Sequence, residues 1–397
     1  MSPGTRPHAA CVTTRQFPIG ILACLTACGT QGASPSNSSI TLTPEWVAEA
    51  DTSVVGYRDL ALVGDQIWVL SRSAPFLRRY SERGQLLGSS VLMGDGPDEV
   101  RLPNWIVAPP EATPAAQTAY LVHRMRELAP LDSTGQVRGR KIAFRPGGGD
   151  AIMKVYSLSY GQPRLIRAAT HSRLLVQQQR RVMVQSTADV GDALLLVVDT
   201  SGVVTDTIAD LSSLTPPLAG PRVTTFVPVP LWAVCHSELV AVFSPVTLEV
   251  SWRSTAGRIK WRVTADLATR RVSGSDRSRY ARAALAEEAR RPGGRLDQLM
   301  SMLATVIVQM EPSFSKTTPP AVSLLCDVDG TAWLQGFDTS DDPRGYGRLW
   351  YGISPAGRSS QASMPRGFQP IAVREHRFVG WLTDEDGVQR IARVAAR

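Results

Sequence analysis

Residues that commonly build metal centres and disulfide frameworks are scarce in this chain. It has 5 cysteines and 5 histidines among 397 residues, and the histidines lie far apart rather than at the short spacings typical of zinc sites. No Gly-x-Ser-x-Gly segment occurs, and no glycine-rich loop is followed by lysine and serine or threonine. The sequence therefore predicts no metal or cofactor, and it counts against a serine hydrolase or a nucleotide-binding enzyme.

Concentrated basic blocks are also missing, although basic residues outnumber acidic ones. The 43 basic and 35 acidic side chains give a net charge of +8. The arginines occur as scattered pairs, such as Arg180-Arg181 and Arg290-Arg291, rather than in the long patch typical of nucleic-acid binding. We interpret the charge as a solvated basic surface and predict no nucleic-acid partner.

The apolar stretch near the N-terminus, residues 17–27, is too short to span a bilayer as a helix. Arg6 and Arg15 supply positive charge, and no acidic residue occurs among the first 27 positions. This arrangement is typical of a signal peptide. The stretch ends in Leu-Thr-Ala-Cys-Gly, with the cysteine at position 28.

This ending resembles the lipobox of bacterial lipoproteins, in which the cysteine is acylated and the preceding peptide is removed. The resemblance implies that Cys28 carries the lipid and that residues 1–27 are cleaved. It places the chain at the bacterial cell envelope, outside the cytoplasm, on the outer membrane or the periplasmic face. The alternative is an ordinary signal peptide with an incidental cysteine. Residues 28–39 are small and polar after Cys28, which predicts a flexible tether.

A four-strand unit recurs along the rest of the chain. In residues 57–105 two short apolar runs flank Gly64-Asp65, and a second pair flanks a turn that ends in Gly84. Comparable units cover residues 104–144, about 164–211, about 227–267 and 321–364, whereas residues 369–394 supply only three strands. Residues 40–43 are predicted to provide the missing strand. The pattern therefore predicts an all-β fold, a six-bladed β-propeller over residues 40–397 closed by an N-terminal strand.

A helical insertion is predicted between blades 4 and 5, at residues 276–310. The segment 276–290 is rich in alanine, arginine and glutamate, with Ser275 or Asp276 as its N-cap. Apolar residues then recur at three- and four-residue spacing from Leu296 to Met310, which indicates an amphipathic helix. We expect this stripe to pack on the propeller rather than to meet a partner, although both remain open.

Several motifs resemble those of bacterial six-bladed propeller lipoproteins related to NHL-repeat and TolB-like propellers. Residues 94–100 (GDGPDEV) are similar to the family's glycine-rich stretch, with Asp98 and Val100 in place of the usual glycine and phenylalanine. Residues 329–333 (DGTAW) are similar to its recurring aspartate-glycine hairpin, and residues 380–388 fit as well. The resemblance implies the fold and leaves the activity open.

Cys235 and Cys326 are the cysteines that remain downstream of Cys28. A disulfide is chemically permitted outside the cytoplasm. Because each cysteine lies late in an apolar strand of a different blade, we favour two free buried thiols.

Polar residues at the beginnings of the inner strands are the candidate ligand site, since propellers usually bind ligands at the channel mouth. They are Arg58, Asp59, Asn104, Arg164 and Gln369. Together they predict a polar, slightly cationic mouth for an anionic or hydroxyl-rich ligand. The alternative is that they cap strand ends around a water-filled channel. Asp59 is the single carboxylate in this set, which counts against a metal-dependent enzyme.

The sequence thus favours an envelope-anchored lipoprotein that binds or scaffolds an unknown small molecule or protein and contacts the membrane through its lipid. The alternative is a propeller hydrolase or lyase acting on an extracytoplasmic sugar, lactone or peptide.

Overall fold

The computed structural model of the protein describes residues 39–49, 56–96, 98–101, 103–109, 119–123, 127–143, 165–168, 170, 172–179, 193–217, 225–289 and 296–395. The predicted signal peptide, Cys28, most of the tether, Arg164 and His171 lie outside these residues. All described residues belong to one compact unit, Asn37–Arg397.

Six small antiparallel sheets form the blades of a β-propeller, which confirms the predicted fold class. The chain begins with β1 (Ser39–Thr41) and β2 (Thr43–Val47), and then builds the first three blades. Blade 1 contains β3 (Tyr57–Val63), β4 (Gln66–Ser71), β5 (Leu77–Ser81) and β6 (Leu86–Ser90), and the short parallel pair β7 (Leu92–Met93) and β8 (Glu99–Val100) follows it. Blade 2 contains β9 (Pro103–Val107), β10 (Ala119–His123), β11 (Glu127–Leu131) and β12 (Ile142–Ala143). Blade 3 contains β13 (Leu165–Ala168), β14 (Arg173–Gln179), β15 (Ala193–Asp199) and β16 (Val204–Asp210).

Blades 4 to 6 follow the same plan, with helices between blades 4 and 5. Blade 4 contains β17 (Leu231–His236), β18 (Leu239–Ser244), β19 (Glu249–Ser254) and β20 (Ile259–Thr264); the insertion contains α1 (Gly274–Ala289), α2 (Leu296–Ser301) and α3 (Leu303–Met310); blade 5 contains β21 (Ala321–Cys326), β22 (Ala332–Phe337), β23 (Tyr346–Ile353) and β24 (Ser359–Ser363); blade 6 contains β25 (Phe368–Arg374), β26 (Arg377–Thr383) and β27 (Gln389–Ala395). Short 3-10 turns occur at Ser212–Leu214 and Glu311–Ser313.

The hydrophobic core is divided among the six junctions between neighbouring blades. Each junction has its own buried cluster, for example Trp68 and Leu70 of blade 1 against Ile106 and Leu121 of blade 2. Each sheet buries both faces in this way, because its two neighbours cover them. The alternating apolar residues of each unit therefore stabilise the ring only when all the blades are present.

The ring is closed near its N-terminus, by a segment slightly later than predicted. Thr43–Val47 pairs antiparallel with β27 and supplies the outer strand of blade 6. Ile40 and Thr41 instead pair in parallel with β24 and extend blade 5. The assignment of residues 40–43 to blade 6 is thus wrong for its first half, since the chain crosses between two blades at Leu42.

The helical insertion begins earlier than predicted. Ser273, and neither Ser275 nor Asp276, caps α1: its hydroxyl accepts the backbone N–H of Asp276, and the Asp276 carboxylate accepts the backbone N–H of Ser273. In α3 no residue is buried, and Val308 is 69% exposed. The expected packing of the stripe occurs at Met310, which contacts the buried cluster of Phe226 and Phe314.

The prediction of two free thiols is wrong, because Cys235 and Cys326 form a disulfide. The cysteines are 91 residues apart in sequence. The propeller places β17 of blade 4 beside β21 of blade 5, so their Cα atoms lie 4.7 Å apart. Adjacency of blades, which sequence spacing does not reveal, explains the pairing.

Among the described residues, no helix combines the length and the apolar composition needed to cross a bilayer.

Candidate functional site

The innermost strands of all six blades surround a cavity of about 390 Å³ along the propeller axis. Polar and apolar groups contribute comparably to its wall, and the partly exposed apolar side chains include Leu62, Leu231, Val322 and Ile371. This volume lies within the range of pockets that bind small molecules. The axial cavity is therefore the candidate ligand site.

The inner strands have no strand partner on their channel side, and this shapes the wall. Proline removes a backbone donor and is tolerated on such an edge, as Pro370 is in β25. A register shift between Pro370 and Ala372 accompanies it. Gly380 of β26 lies opposite, where an added Cβ would come within 2.0 Å of the Gln369 carbonyl oxygen. Glycine thus permits the close approach of these two strands.

The polar part of the wall comes from a few side chains in three blades. Arg167 and Gln177 belong to blade 3, Ser323 to blade 5, and Gln369 and Arg374 to blade 6. Among the described lining residues, the two arginines are the charged side chains. The wall therefore combines apolar side chains with polar and positively charged groups.

A buried carboxylate behind the wall holds Arg167 in place. Asp59 is 4% exposed, and its Oδ2 accepts the backbone N–H of Ile106 at 2.9 Å. Its two carboxylate oxygens each lie 3.4 Å from a terminal nitrogen of Arg167. Asp59 thus connects blades 1, 2 and 3. Burial raises the pKa of Asp59, and the Arg167 charge offsets this only in part.

A bulge in β3 accounts for the inward position of Asp59. The register of β3 against β4 shifts between Tyr57 and Asp59, which leaves Arg58 as the extra residue. Such bulges redirect the following side chain. Asp59 consequently turns into the space between blades, and exposed Arg58 donates from Nη1 to the Pro103 carbonyl oxygen at 3.0 Å.

Two further contacts orient polar groups of the wall. The indole N–H of Trp232 donates to Gln177 Oε1 at 2.9 Å, and because indole is a donor only, this contact identifies the oxygen end of the amide. Arg374 Nη1 donates to the Gly64 carbonyl oxygen, which links blades 6 and 1. Burial lowers the pKa of Arg374, and the charges of nearby acidic side chains offset part of this decrease.

The structure distributes the five predicted mouth residues differently. Gln369 lines the cavity, whereas Asp59 lies behind the wall. Arg58 contacts backbone at the junction of blades 1 and 2, and Asn104 is half-buried in β9. Arg164 lies outside the described residues.

Sequence reasoning missed Arg167, Gln177 and Arg374 because it considered only the beginnings of inner strands. A usable signal was present in β13, where Arg167 is the one charged residue in the run Leu-Ile-Arg-Ala. A charged residue within an inner strand points into the channel or pairs with a buried group, and Arg167 does both.

Asp327 and His123, two buried ionisable residues outside the cavity, have structural contacts. Asp327 is fully buried and accepts the backbone N–H groups of Val328, Glu375 and His376, which connects blades 5 and 6. His123 lies 2.9 Å from Glu127. In the described part of the chain no group of three or more His, Cys, Asp or Glu side chains is arranged to hold a metal ion.

Comparison with solved structures shows similarity in fold alone. A Bacteroides fragilis protein described as exported is 9% identical, with a TM-score of 0.50 over 91% of this chain and 96% of that one. A member of the DUF4221 family from Bacteroides vulgatus is 8% identical, with a TM-score of 0.49 over 91% and 98% of the two chains. The streptogramin B lyase structure, at 8% identity, has a TM-score of 0.35 over 90% and 87%. No protein-family model and no curated protein sequence matches. The fold thus defines the class, a six-bladed β-propeller.

Proposed function

We propose that this protein is an extracytoplasmic binding module that takes a small molecule into its axial cavity. The observation that carries the proposal is the cavity of about 390 Å³, whose wall combines apolar side chains with a few oriented polar groups. Such a composition supports binding through burial of apolar surface and orientation through hydrogen bonds. No carboxylate or histidine is among the described residues of the wall, so binding is favoured over the hydrolase or lyase alternative.

The location outside the cytoplasm, at the bacterial envelope, has three supports. The segment around Cys28 resembles a lipobox. The disulfide between Cys235 and Cys326 is of a kind that persists in oxidising compartments. A protein of similar fold is described as exported. Together with the glycine-rich motif at residues 94–100, these features support kinship with the NHL-like and TolB-like propeller lipoproteins, with a lipid on Cys28 as the anchor.

The cavity is tested by filling it. Ala233 of β17 lines the wall, and Ala233→Trp would place an indole in the space. We expect the wild-type protein to bind at least one of three probes, hexanoate, 1-hexanol or hexylammonium, in an NMR titration, and Ala233→Trp to lose this binding. The control is Ala284→Trp, because Ala284 lies exposed on α1. Absence of binding in the wild-type protein, or equal binding in Ala233→Trp, contradicts the proposed site.

The anchor is tested separately, in cells. We expect Cys28→Ala to abolish globomycin-sensitive processing and to move the protein out of the membrane fraction. Cys24→Ala, which changes a cysteine inside the predicted signal peptide, is the matched control and should leave both unchanged. Membrane association of Cys28→Ala equal to that of the control would overturn the anchor and leave the cavity unaffected.

A further inference from the structure

The geometry points to a particular class of ligand: a small organic anion with an apolar body, whose anionic group is recognised by Arg167. This inference rests on the proposed binding function and deepens it by naming the chemistry that the cavity selects. It depends on three observations, namely the sign of the charge in the wall, the fixed position of Arg167, and the apolar character of the remaining surface.

The charge of the wall has one sign. Arg167 and Arg374 line the cavity, and the carboxylate nearest to Arg167, that of Asp59, is buried behind the wall rather than part of it. Arginine stays protonated in proteins, so Arg167 contributes positive potential to the cavity. The Arg374 guanidinium is directed to the Gly64 carbonyl oxygen and lies near acidic side chains, so its contribution is smaller. A cleft between protein walls focuses this potential and weakens its screening by solvent. An anion is therefore attracted, and a cation of the same shape is repelled.

Arg167 is held in a defined place, as a recognition residue must be. Both terminal nitrogens of its guanidinium face Asp59, one towards each carboxylate oxygen, at 3.4 Å. Asp59 is itself anchored by the backbone N–H of Ile106. The buried carboxylate thus sets the orientation of the guanidinium fork without contacting the cavity contents, which makes Asp59 a positioning residue.

The side chain of Arg167 also reaches the cavity. It is 33% exposed, although its partner Asp59 is buried. A guanidinium has five N–H donors in one plane, so it serves a buried carboxylate and a ligand anion at the same time. Gln177 adds a second donor to the wall, since Trp232 binds its amide oxygen and the NH₂ group is the end that can donate to a ligand.

The remaining wall selects an apolar body for the anion. Leu60 and Ile106, beside the Asp59–Arg167 pair, are themselves buried between blades. The apolar surface that faces the cavity comes from partly exposed side chains, namely Ala61, Leu62, Leu231, Val322 and Ile371. An inorganic anion would leave this surface in contact with water, whereas each buried methylene of an organic anion strengthens binding about fourfold. A medium-chain carboxylate satisfies both parts of the wall.

The test compares three probes that differ only in their polar group: hexanoate, 1-hexanol and hexylammonium. In NMR titrations of the wild-type protein, we expect hexanoate to bind at least about tenfold more tightly than 1-hexanol, because a hydrogen-bonded ion pair replaces a neutral contact. Hexylammonium should bind most weakly. The ratio of the hexanoate affinity to the 1-hexanol affinity is the quantity that reports anion recognition.

Variants test which residues determine this ratio of affinities. We expect Arg167→Met to lower the hexanoate affinity about tenfold and to leave the 1-hexanol affinity within about twofold. Arg173→Met is the matched control, because Arg173 is exposed on the same blade and does not line the cavity. Asp59→Asn should lower the ratio about threefold through a less ordered Arg167, a change that general destabilisation would not produce.

The possible outcomes separate the two proposals. If hexanoate and 1-hexanol bind equally, or if Arg167→Met leaves the ratio unchanged, the ligand class is overturned and the binding cavity stands. If hexylammonium binds most tightly, the ligand class is likewise overturned. If none of the three probes binds, both proposals fail. Should Asp59→Asn not fold, the comparison of Arg167→Met with Arg173→Met still decides the role of Arg167.

Discussion

Asp59 behind the channel wall and Asp276 at the start of α1 are both buried aspartates that face an arginine, yet their carboxyl pKa values shift in opposite directions. Asp276 accepts hydrogen bonds from Arg270, from the hydroxyl and backbone N–H of Ser273 and from the Thr339 hydroxyl. Hydrogen bonding by Arg270 leads the causes that lower its pKa, against the opposing effect of burial. At Asp59 burial dominates, and the pKa is raised.

The difference lies in the number and the length of the contacts. Asp276 has several donors at 2.8 Å or less, including both terminal nitrogens of Arg270, which is the pattern of a structural anchor. Asp59 has a close backbone donor and an arginine at 3.4 Å. A buried ionisable group that lies beside a cavity, with too few close hydrogen-bond donors to offset its burial, is typical of a functional site. Asp276 therefore fastens the insertion to blade 5, whereas Asp59 orients a cation towards the cavity.

The largest expected effect concerns a third connection, which contains no charge. Replacing Cys235 and Cys326 together by alanine opens a loop of 91 residues, and we expect a loss of about 2–5 kcal/mol in the free energy of unfolding. Urea denaturation monitored by tryptophan fluorescence measures it. Both cysteines also line the cavity, but neither is charged, so the ratio of hexanoate to 1-hexanol affinity should stay at the wild-type value. A changed ratio would contradict the view that the disulfide only stabilises the ring, whereas the Asp59 contact orients Arg167.

A smaller effect is expected when the anchor of the insertion is removed. Asp276→Ala loses charge-assisted hydrogen bonds and the carboxylate that accepts the Ser273 backbone N–H in the capping box of α1. Arg270 is 49% exposed, so solvent screens its contribution. We expect a loss of about 2–3 kcal/mol in the local stability of α1, measured as faster hydrogen exchange of its backbone amides. The control is Glu385→Ala in an exposed turn of blade 6. Unchanged exchange in α1 would refute the anchoring role.

The smallest effect is the pH dependence of stability, which should differ in sign between the two aspartates. The raised pKa of Asp59 means that the unfolded chain releases this proton first, so its contribution is full below about pH 3.8 and is lost as pH rises through the folded pKa. The lowered pKa of Asp276 means the reverse: its contribution is present above about pH 3.8 and is lost as pH falls. Each pKa unit between the folded and the unfolded chain corresponds to about 1.4 kcal/mol in the free energy of unfolding.

Urea midpoints between pH 3 and pH 7 test this difference in sign. Relative to the wild-type protein, Asp59→Asn should lack the decrease in stability with rising pH, and Asp276→Asn should lack the decrease with falling pH. Asp386→Asn, at an exposed position, is the matched control. Parallel curves for Asp59→Asn and the wild-type protein would show that burial does not govern the Asp59 carboxyl.

The blade pattern was predictable because it is written in local features. Turn residues such as Gly135 and Gly202 have positive φ, and Asp132 and Asp199 bond to the backbone of the same turns, so the hairpins are recognisable in isolation. The start of α1 was predicted two to three residues too late, because Ser275 and Asp276 also fit the N-cap pattern. Ser273 is the cap, and Asp276 is its partner in a capping box.

The candidate site was less predictable, because its residues meet through the ring and not along the chain. Asp59 and Arg167 are 108 positions apart and belong to blades 1 and 3. The rule that selected the starts of inner strands chose Gln369, which lines the cavity, and also Arg58, which contacts backbone instead. The bulge at Arg58 reverses the alternation that the rule assumed.

The sequence by itself determined the number of blades, the order of their strands and the need for an N-terminal strand to complete the last one, because hydrophobic alternation and turn chemistry act over a few residues. Only the tertiary structure decided which residues face the axis, which cysteines pair, and which carboxylate is left with too few donors. Those properties arise where blades meet, and they depend on twist, bulges and closure of the ring, which bring together residues that the chain keeps about a hundred positions apart.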